Sequence, residues 1–213
     1  MAKRTITTKK GRGPGAGTRT QIMDAAVRRF SEKGYLGATT ADIAAEAGVS
    51  EKTIFDLFGD KKTLYLELRD ELRERALSEI LPRLPIGGGA PAVLRSLGRE
   101  FAREVRQNRD RARVNVQAAT ALDDPDVMRS AQAFYKELER LVMDILVEGR
   151  KAGLIRPDLD LEQFAWTYVM AIHSLGFIGM MDAAPPSRQD AALVLIDRLV
   201  DHAEEPGRAA LTP

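Results

Sequence analysis

The chain has 213 residues, 44% of them hydrophobic, with a formal net charge of +1 and no cysteine. Its length fits one ordinary domain or a small module joined to a larger one, and the lack of cysteine excludes disulfides, thiolate metal sites and cysteine nucleophiles. The near-neutral total hides an asymmetry: residues 1–62 carry 12 Lys/Arg against 7 Asp/Glu, whereas residues 63–213 carry 20 against 24.

The first 19 residues hold Lys3, Arg4, Lys9, Lys10, Arg12 and Arg19 and no acid. They lack the apolar core of a secretory signal. With the missing cysteines, this leads to the expectation of a cytoplasmic protein. The glycines of GRGPGAG follow no strand, so they are not a dinucleotide fingerprint. They suit a flexible basic arm over residues 1–17, which is either a polyanion-binding element or a solubilising tail.

From Thr18 onward the hydrophobic period is helical. Ile22, Ala25, Ala26 and Phe30 recur at helix spacing, and Gly34 offers a stop. Next comes TTADIAAEAGVSEKTIFDLFGDKKT, residues 39–63. Thr39 with Asp42 forms a capping box, Gly48 permits a left-handed turn, Ser50 caps a second short segment and Asp60 a fourth helix. Helices this short are marginal alone, so Ile43, Ala44, Ala47, Val49, Ile54 and Phe58 must bury against the Ile22/Phe30 helix. Ser50, Glu51, Lys52, Thr53, Phe55 and Asp56 are left exposed. A helix-turn-helix is built this way, with its second helix entering the major groove.

Farther on, Leu64, Leu68, Leu72, Ala76 and Ile80 make a long stripe ending in the linker LPRLPIGGGAP. Helices follow over about 91–107, 109–121 and 125–152, the last with a buried stripe of Val127, Ala131, Phe134, Leu138, Leu141 and Ile145. Two more are expected over about 161–181 and 188–204. Residues 164–181 hold no Asp, Glu, Lys or Arg. His173, Tyr168, Thr167, Ser174 and the spaced glycines weaken them as a membrane span, so no membrane partner is expected. The better reading is a helix buried on two sides. Leu161, Phe164, Ala165, Tyr168, Val169 and Ile172 make one stripe and Trp166, Met170, His173 and Phe177 another; one can face the chain's own core and the other a partner. The fold class is all-α, with about nine helices. The two histidines lack a nucleophile at motif spacing, and no phosphate loop or metal motif occurs, so neither an enzyme, a metal site nor a cofactor is expected.

The stretch FSEKGYLGATTADIAAEAGVSEKTIFDLFGDKKTL resembles the DNA-binding domain of the TetR (tetracycline-repressor-like) family of transcriptional regulators. The resemblance rests on Phe30, Gly34-Tyr35, Thr39, Asp42-Ile43-Ala44, Ala47-Gly48-Val49-Ser50, Thr53, Phe58 and Lys61 in that order and spacing. It implies a helix-turn-helix domain over residues 18–63, a helical effector-binding and dimerisation domain over 64–205, and a disordered tail over 206–213. Thr39 and Lys61 would hold phosphates, while Glu51, Lys52 and Thr53 would meet base edges, with Lys52 able to donate to guanine and Glu51 to accept from cytosine; Thr40, Ser50, Phe55 and Asp56 complete the expected DNA-binding set. Phe55 stands where the family usually has a tyrosine, and Asp56 adds a negative charge where many relatives are neutral or basic.

The resemblance further implies a homodimer through helices about 161–181 and 188–204, hence a palindromic double-stranded DNA operator. It also implies a small, largely apolar effector held among Phe101, Asn115, Gln117, Phe134, Trp166, Met170 and His173. The expected function is a ligand-released repressor. The alternative is an all-α small-molecule-binding or interaction protein without sequence-specific DNA binding.

Overall fold

The computed structural model describes residues 16–118, 124–180 and 186–204, whose regular structure is helical apart from one isolated bridge between Ile155 and Glu204. Among the described residues nine α-helices run in the order α1 (Ala16–Gly37), α2 (Thr40–Ala47), α3 (Glu51–Phe58), α4 (Lys61–Ile80), α5 (Gly89–Gln107), α6 (Arg109–Ala118), α7 (Pro125–Lys151), α8 (Leu161–Met180) and α9 (Pro186–Ala203). The expected arm, save its last two residues, and the expected C-terminal tail lie outside the described residues. Arg19 belongs to α1, where it binds Glu67 at 2.8 Å and Glu71 at 3.3 Å across α4 and lies over the Phe58 ring.

The local signals act as their chemistry requires. Asp42 N–H donates to Thr39 Oγ1 at 3.1 Å and Thr39 N–H donates back to Asp42 Oδ2 at 3.2 Å, closing the capping box of α2. Gly48 ends α2 at φ 67°, and Ser50 Oγ accepts from Thr53 N–H to start α3. Asp60 caps α4 by accepting from Thr63 N–H at 2.7 Å. Gly34 breaks the helical path of α1 at φ 71° and ψ 170°, a backbone that β-carbon-bearing residues rarely adopt.

Two apolar clusters form the interior. The first joins Ile22, Ala25, Ala26 and Phe30 of α1 to Ile43, Ala44, Ile54 and Phe58, then continues through Leu64, Tyr65, Leu68 and Leu72 of α4 into Val114, Val127 and Ala131. It therefore crosses the boundary expected at residue 63. The second gathers α5, α7, α8 and α9 around Leu94, Leu97, Leu146, Tyr168 and Val200. In α8 the stripe that faces the core is the Phe164, Ala165, Tyr168, Val169 and Ile172 one, with its first member Leu161 only partly buried, while Trp166 and Phe177 of the other stripe are each 50% exposed. The stripe of α7 needs correction. Val127, Ala131 and Leu138 are buried as expected, but Val142 and Leu146 are the other fully buried positions, and Phe134, Leu141 and Ile145 are only partly covered. Steps of four from Leu138 hold one face toward the core here, where steps of three and four were expected. Among the described residues no helix is long and apolar enough to cross a membrane.

Candidate nucleic-acid interface and buried cavity

The outer face of α3 is polar and its underside is apolar. Ile54 and Phe58 are 0% and 4% exposed, whereas Phe55 on the opposite side is 46% exposed. Ser50, Glu51, Lys52 and Asp56 are exposed around Phe55, and Thr53 is half-buried. Thr40 and Glu51 are hydrogen-bonded to each other, linking the start of α2 to that of α3. Ser50 Oγ lies 2.8 Å from Thr53 Oγ1, and Lys52 Nζ donates to both carboxylate oxygens of Asp56, at 2.7 and 2.8 Å. The expected base-edge and Thr39/Thr40 positions thus share one surface, as the two short helices and the Gly48 turn require.

Its cations are already occupied. Arg28 holds Glu46 at 2.7 Å, Arg29 binds Glu46 and Glu32, and Lys33 holds Asp42 at 2.9 Å. Lys33 and then Thr39 pull the Asp42 carboxyl down to a pKa of about 2. Lys62 binds Asp124 and Asp126 at the start of α7, and Tyr35 Oη donates to Asp124 at 3.4 Å. Lys61, which the resemblance assigned to a phosphate, points inward. Its ammonium donates to the carbonyls of Tyr35 at 2.8 Å and Ala38 at 3.0 Å and lies over the Tyr35 ring. Lysine carries three donors, so a phosphate contact there requires releasing the turn between α1 and α2.

A cavity lies between α4, α5, α6, α7 and α8, with about 60 Å³ open to the centres of water molecules, room for a few waters. Phe101, Asn115, Phe134 and His173 line it as expected. Gln117, Trp166 and Met170 do not. Gln117 donates to the Ser31 carbonyl of α1 at 3.2 Å. It is two positions from Asn115, about 200° around a helix, and so faces away. The cavity meets α8 at Val169, Ile172, His173 and Gly176. Trp166 shares the His173 stripe but lies about 10 Å nearer the start of α8, where it is half exposed. Met170 packs, half-buried, on the C-terminal cluster.

The cavity's polar groups include several that pattern reading missed. Tyr135 Oη is 2.6 Å from His173 Nδ1. Burial pushes the His173 imidazole below its ordinary pKa, so it is neutral near pH 7, and pushes the Tyr135 phenol up to about 12. At another edge, Arg111 lies 3.6 Å from Glu79 and 3.7 Å from Glu104. Burial, followed by the nearby Glu79, raises the Glu104 carboxyl. Arg69 is 4% exposed, and its Nε and Nη1 have no hydrogen-bond partner. The sequence does carry a signal for it. Tyr65, Arg69, Leu72 and Ala76 fall at i, i+4, i+7 and i+11, which puts a guanidinium inside an apolar face.

Residues 22–68 match the family described as bacterial regulatory proteins, tetR family. Over most of its length the chain is similar to the uncharacterized HTH-type transcriptional regulator YezE of Bacillus subtilis (strain 168), at 23% identity over 86% of this chain and 91% of that one. Among solved structures, a TetR transcriptional regulator from Chloroflexus aurantiacus J-10-FL aligns with TM-score 0.76 and 18% identity over 88% of this chain and 96% of that one. The regulator FadR from Bacillus subtilis in complex with stearoyl-CoA aligns with TM-score 0.74 and 21% identity, covering 87% and 99%. At these identities the structural likeness is one of fold.

Proposed function

We propose that this chain, which carries the DNA-binding domain of the tetR family of bacterial regulatory proteins, is a homodimeric repressor that a small molecule releases from a palindromic operator. The observation that carries the reading is the exposed polar face of α3, braced from beneath by fully buried Ile54. In this reading Thr39 and Thr40 present the start of α2 to a phosphate. Glu51, Lys52 and Thr53 meet base edges, and Phe55 makes apolar contact with a thymine methyl.

The homodimer reading draws on Trp166 and Phe177 of α8 and Val194 and Leu195 of α9, large apolar side chains each about half exposed. A two-fold axis there sets two copies of α3 about one DNA turn (~34–36 Å) or a multiple apart. Sedimentation equilibrium checks this: Leu195→Asp should shift the population toward monomer, and an unchanged dimer would reject the surface.

Release follows from what α6 touches. One side lines the cavity through Asn115 and Val116, and the other is tied to α1 through Gln117. A ligand that widens the cavity favours a conformation in which the two copies of α3 are wrongly spaced, and it acts only through its difference in affinity for the two states. Selecting bound sequences from a random duplex pool tests the reading. Inverted half-sites are expected, and a protein that enriches no sequence would overturn it. The alternative, a binding protein without DNA recognition, draws on the internal pairing of the cations around α3, and the same selection decides between the two.

A further inference from the structure

The cavity wall contains an arginine, Arg69, whose buried Nε and Nη1 have no hydrogen-bond partner among the described residues. Guanidinium stays protonated at any physiological pH, so Arg69 cannot escape burial by losing its charge. Buried charges are ordinarily paired. Among the described residues no carboxylate is within ion-pair distance of Arg69, and at 4% exposure water does not solvate it freely. Asp70, its neighbour in sequence, instead pairs with Arg73 at 3.4 Å. The other lining cation, Arg111, is balanced by Glu79 and Glu104. The cavity therefore holds one uncommitted positive charge. Most of the remaining wall is apolar, supplied by Leu72, Phe101, Val105, Phe134, Leu138 and Ile172.

We infer that the effector is a monoanionic amphiphile, a single carboxylate on a compact apolar body, whose carboxylate pairs with Arg69 inside the cavity. This rests on the regulator reading and narrows the expected apolar effector to one with a charged end. A carboxylate matches the planar donor fan of guanidinium and gives the stronger, charge-assisted class of hydrogen bond. A dianion would leave one charge without a partner, since Arg111 is taken and His173 is neutral. Tyr135 and Asn115, both in the lining, stand ready to bind the head or a nearby hydroxyl.

Calorimetric titration of the full chain with octanoate and phenylacetate, against octanamide, phenylacetamide and octyl phosphate, tests the inference. At least one acid should bind roughly 30-fold or more tightly than its amide, the loss expected when one partner of a buried charge pair is removed. Octyl phosphate should bind more weakly than octanoate. Arg69→Met should abolish the preference for acid over amide, and Arg69→Lys should keep part of it. Without ligand, Arg69→Met should melt at or above the wild-type temperature, because an unpaired buried charge has been removed.

Equal binding of acid and amide, no binding by either acid, preference for the phosphate, or undiminished octanoate binding by Arg69→Met would each overturn the inference. A lower melting temperature for unliganded Arg69→Met would do the same, by making Arg69 a structural group. Duplex selection is read separately. Failed acid binding with intact operator selection rejects this inference alone. Acid binding through Arg69 by a protein that selects no DNA rejects the regulator reading alone.

Discussion

Replacing Ile54 with alanine tests whether α3 is held rigid from below. Ile54 is 0% exposed and belongs to the buried cluster that also holds Ile22, Phe30, Ile43 and Leu68. The substitution removes three buried carbons, about 2.4 kcal/mol at about 0.8 kcal/mol each. Incomplete collapse of the cavity brings the expected loss to about 3–4 kcal/mol, inside the ~2–5 kcal/mol range for such truncations. Against a total stability of about 5–15 kcal/mol that is a large share. Because the cluster runs on into α4, α6 and α7, the loss should appear in the main unfolding transition and not as local fraying. Urea denaturation followed by helical circular dichroism measures it, with gel shifts on a selected operator run alongside. Ile54→Val should lose only about 0.5–1.5 kcal/mol and keep its operator affinity. Lys52→Ala, at an exposed position, should leave stability within about 0.5 kcal/mol while weakening DNA binding. An Ile54→Ala protein within about 1 kcal/mol of wild type, with unchanged operator affinity, would refute the bracing argument.

Three other outcomes follow from the charge arrangement. Asp56→Asn frees Lys52 from a pair of a kind worth about 0.3–0.5 kcal/mol; over two protomers, operator binding should tighten roughly three- to fivefold, as fluorescence anisotropy would read. Deleting residues 2–14, which stops short of α1 and removes Lys3, Arg4, Lys9, Lys10 and Arg12, should flatten the salt dependence of binding by about 0.9 for each phosphate that the arm neutralises and leave site preference unchanged; an unchanged slope makes the arm an inert tail. Burial depresses the His173 pKa in the folded chain, so between the folded value and about 6.5 the unfolded chain binds the extra proton. The contribution of His173 to stability is therefore present above about pH 6.5 and lost as pH falls toward the folded value; His173→Gln should flatten melting temperature against pH below about 6.5.

What could be read from the sequence was local in origin. The Thr39–Asp42 box, the Gly48 turn and the Ser50 and Asp60 caps involve residues three or four apart, so their chemistry needs no knowledge of the fold. The stripes of α1, α4 and the inner face of α8 were equally legible, because each is a long run with one covered side. The errors came where distant packing decides. α6 is ten residues long and is packed on two sides, so nothing in its own period says that Asn115 faces the cavity and Gln117 faces α1. Trp166 and His173 share a stripe, and only the extent of the neighbouring helices separates an exposed ring from a cavity wall. Arg69 was passed over because charged residues on a helix are ordinarily on its wet face.

The charges at the two sites are arranged in opposite ways. Around α2 and α3 every Lys and Arg from residue 17 to 62 is bound within the chain, to carboxylates or, for Lys61, to carbonyls. Inside the cavity, among the described residues, Arg69 has no carboxylate partner, and its buried Nε and Nη1 bind nothing. DNA binding by this surface is therefore an exchange, in which each phosphate contact made by one of these cations releases an internal partner. That lowers the net gain per contact, so under the proposed reading affinity must come from elsewhere: the fit of α3, repetition in a homodimer and, if the salt dependence shows it, the arm. A complex with so narrow a margin needs little to undo it. A coupling of about 1–3 kcal/mol between effector and operator changes affinity 5- to 150-fold. Pairing a carboxylate with a previously unpaired guanidinium is a strong enough interaction to supply it, provided the conformation that accepts the carboxylate is the one in which α6 has moved against α1. On the proposed reading, a strong head-group contact and a weak DNA surface would serve one purpose, since release requires only that the difference in effector affinity between the two conformations exceed the free energy with which the operator is held.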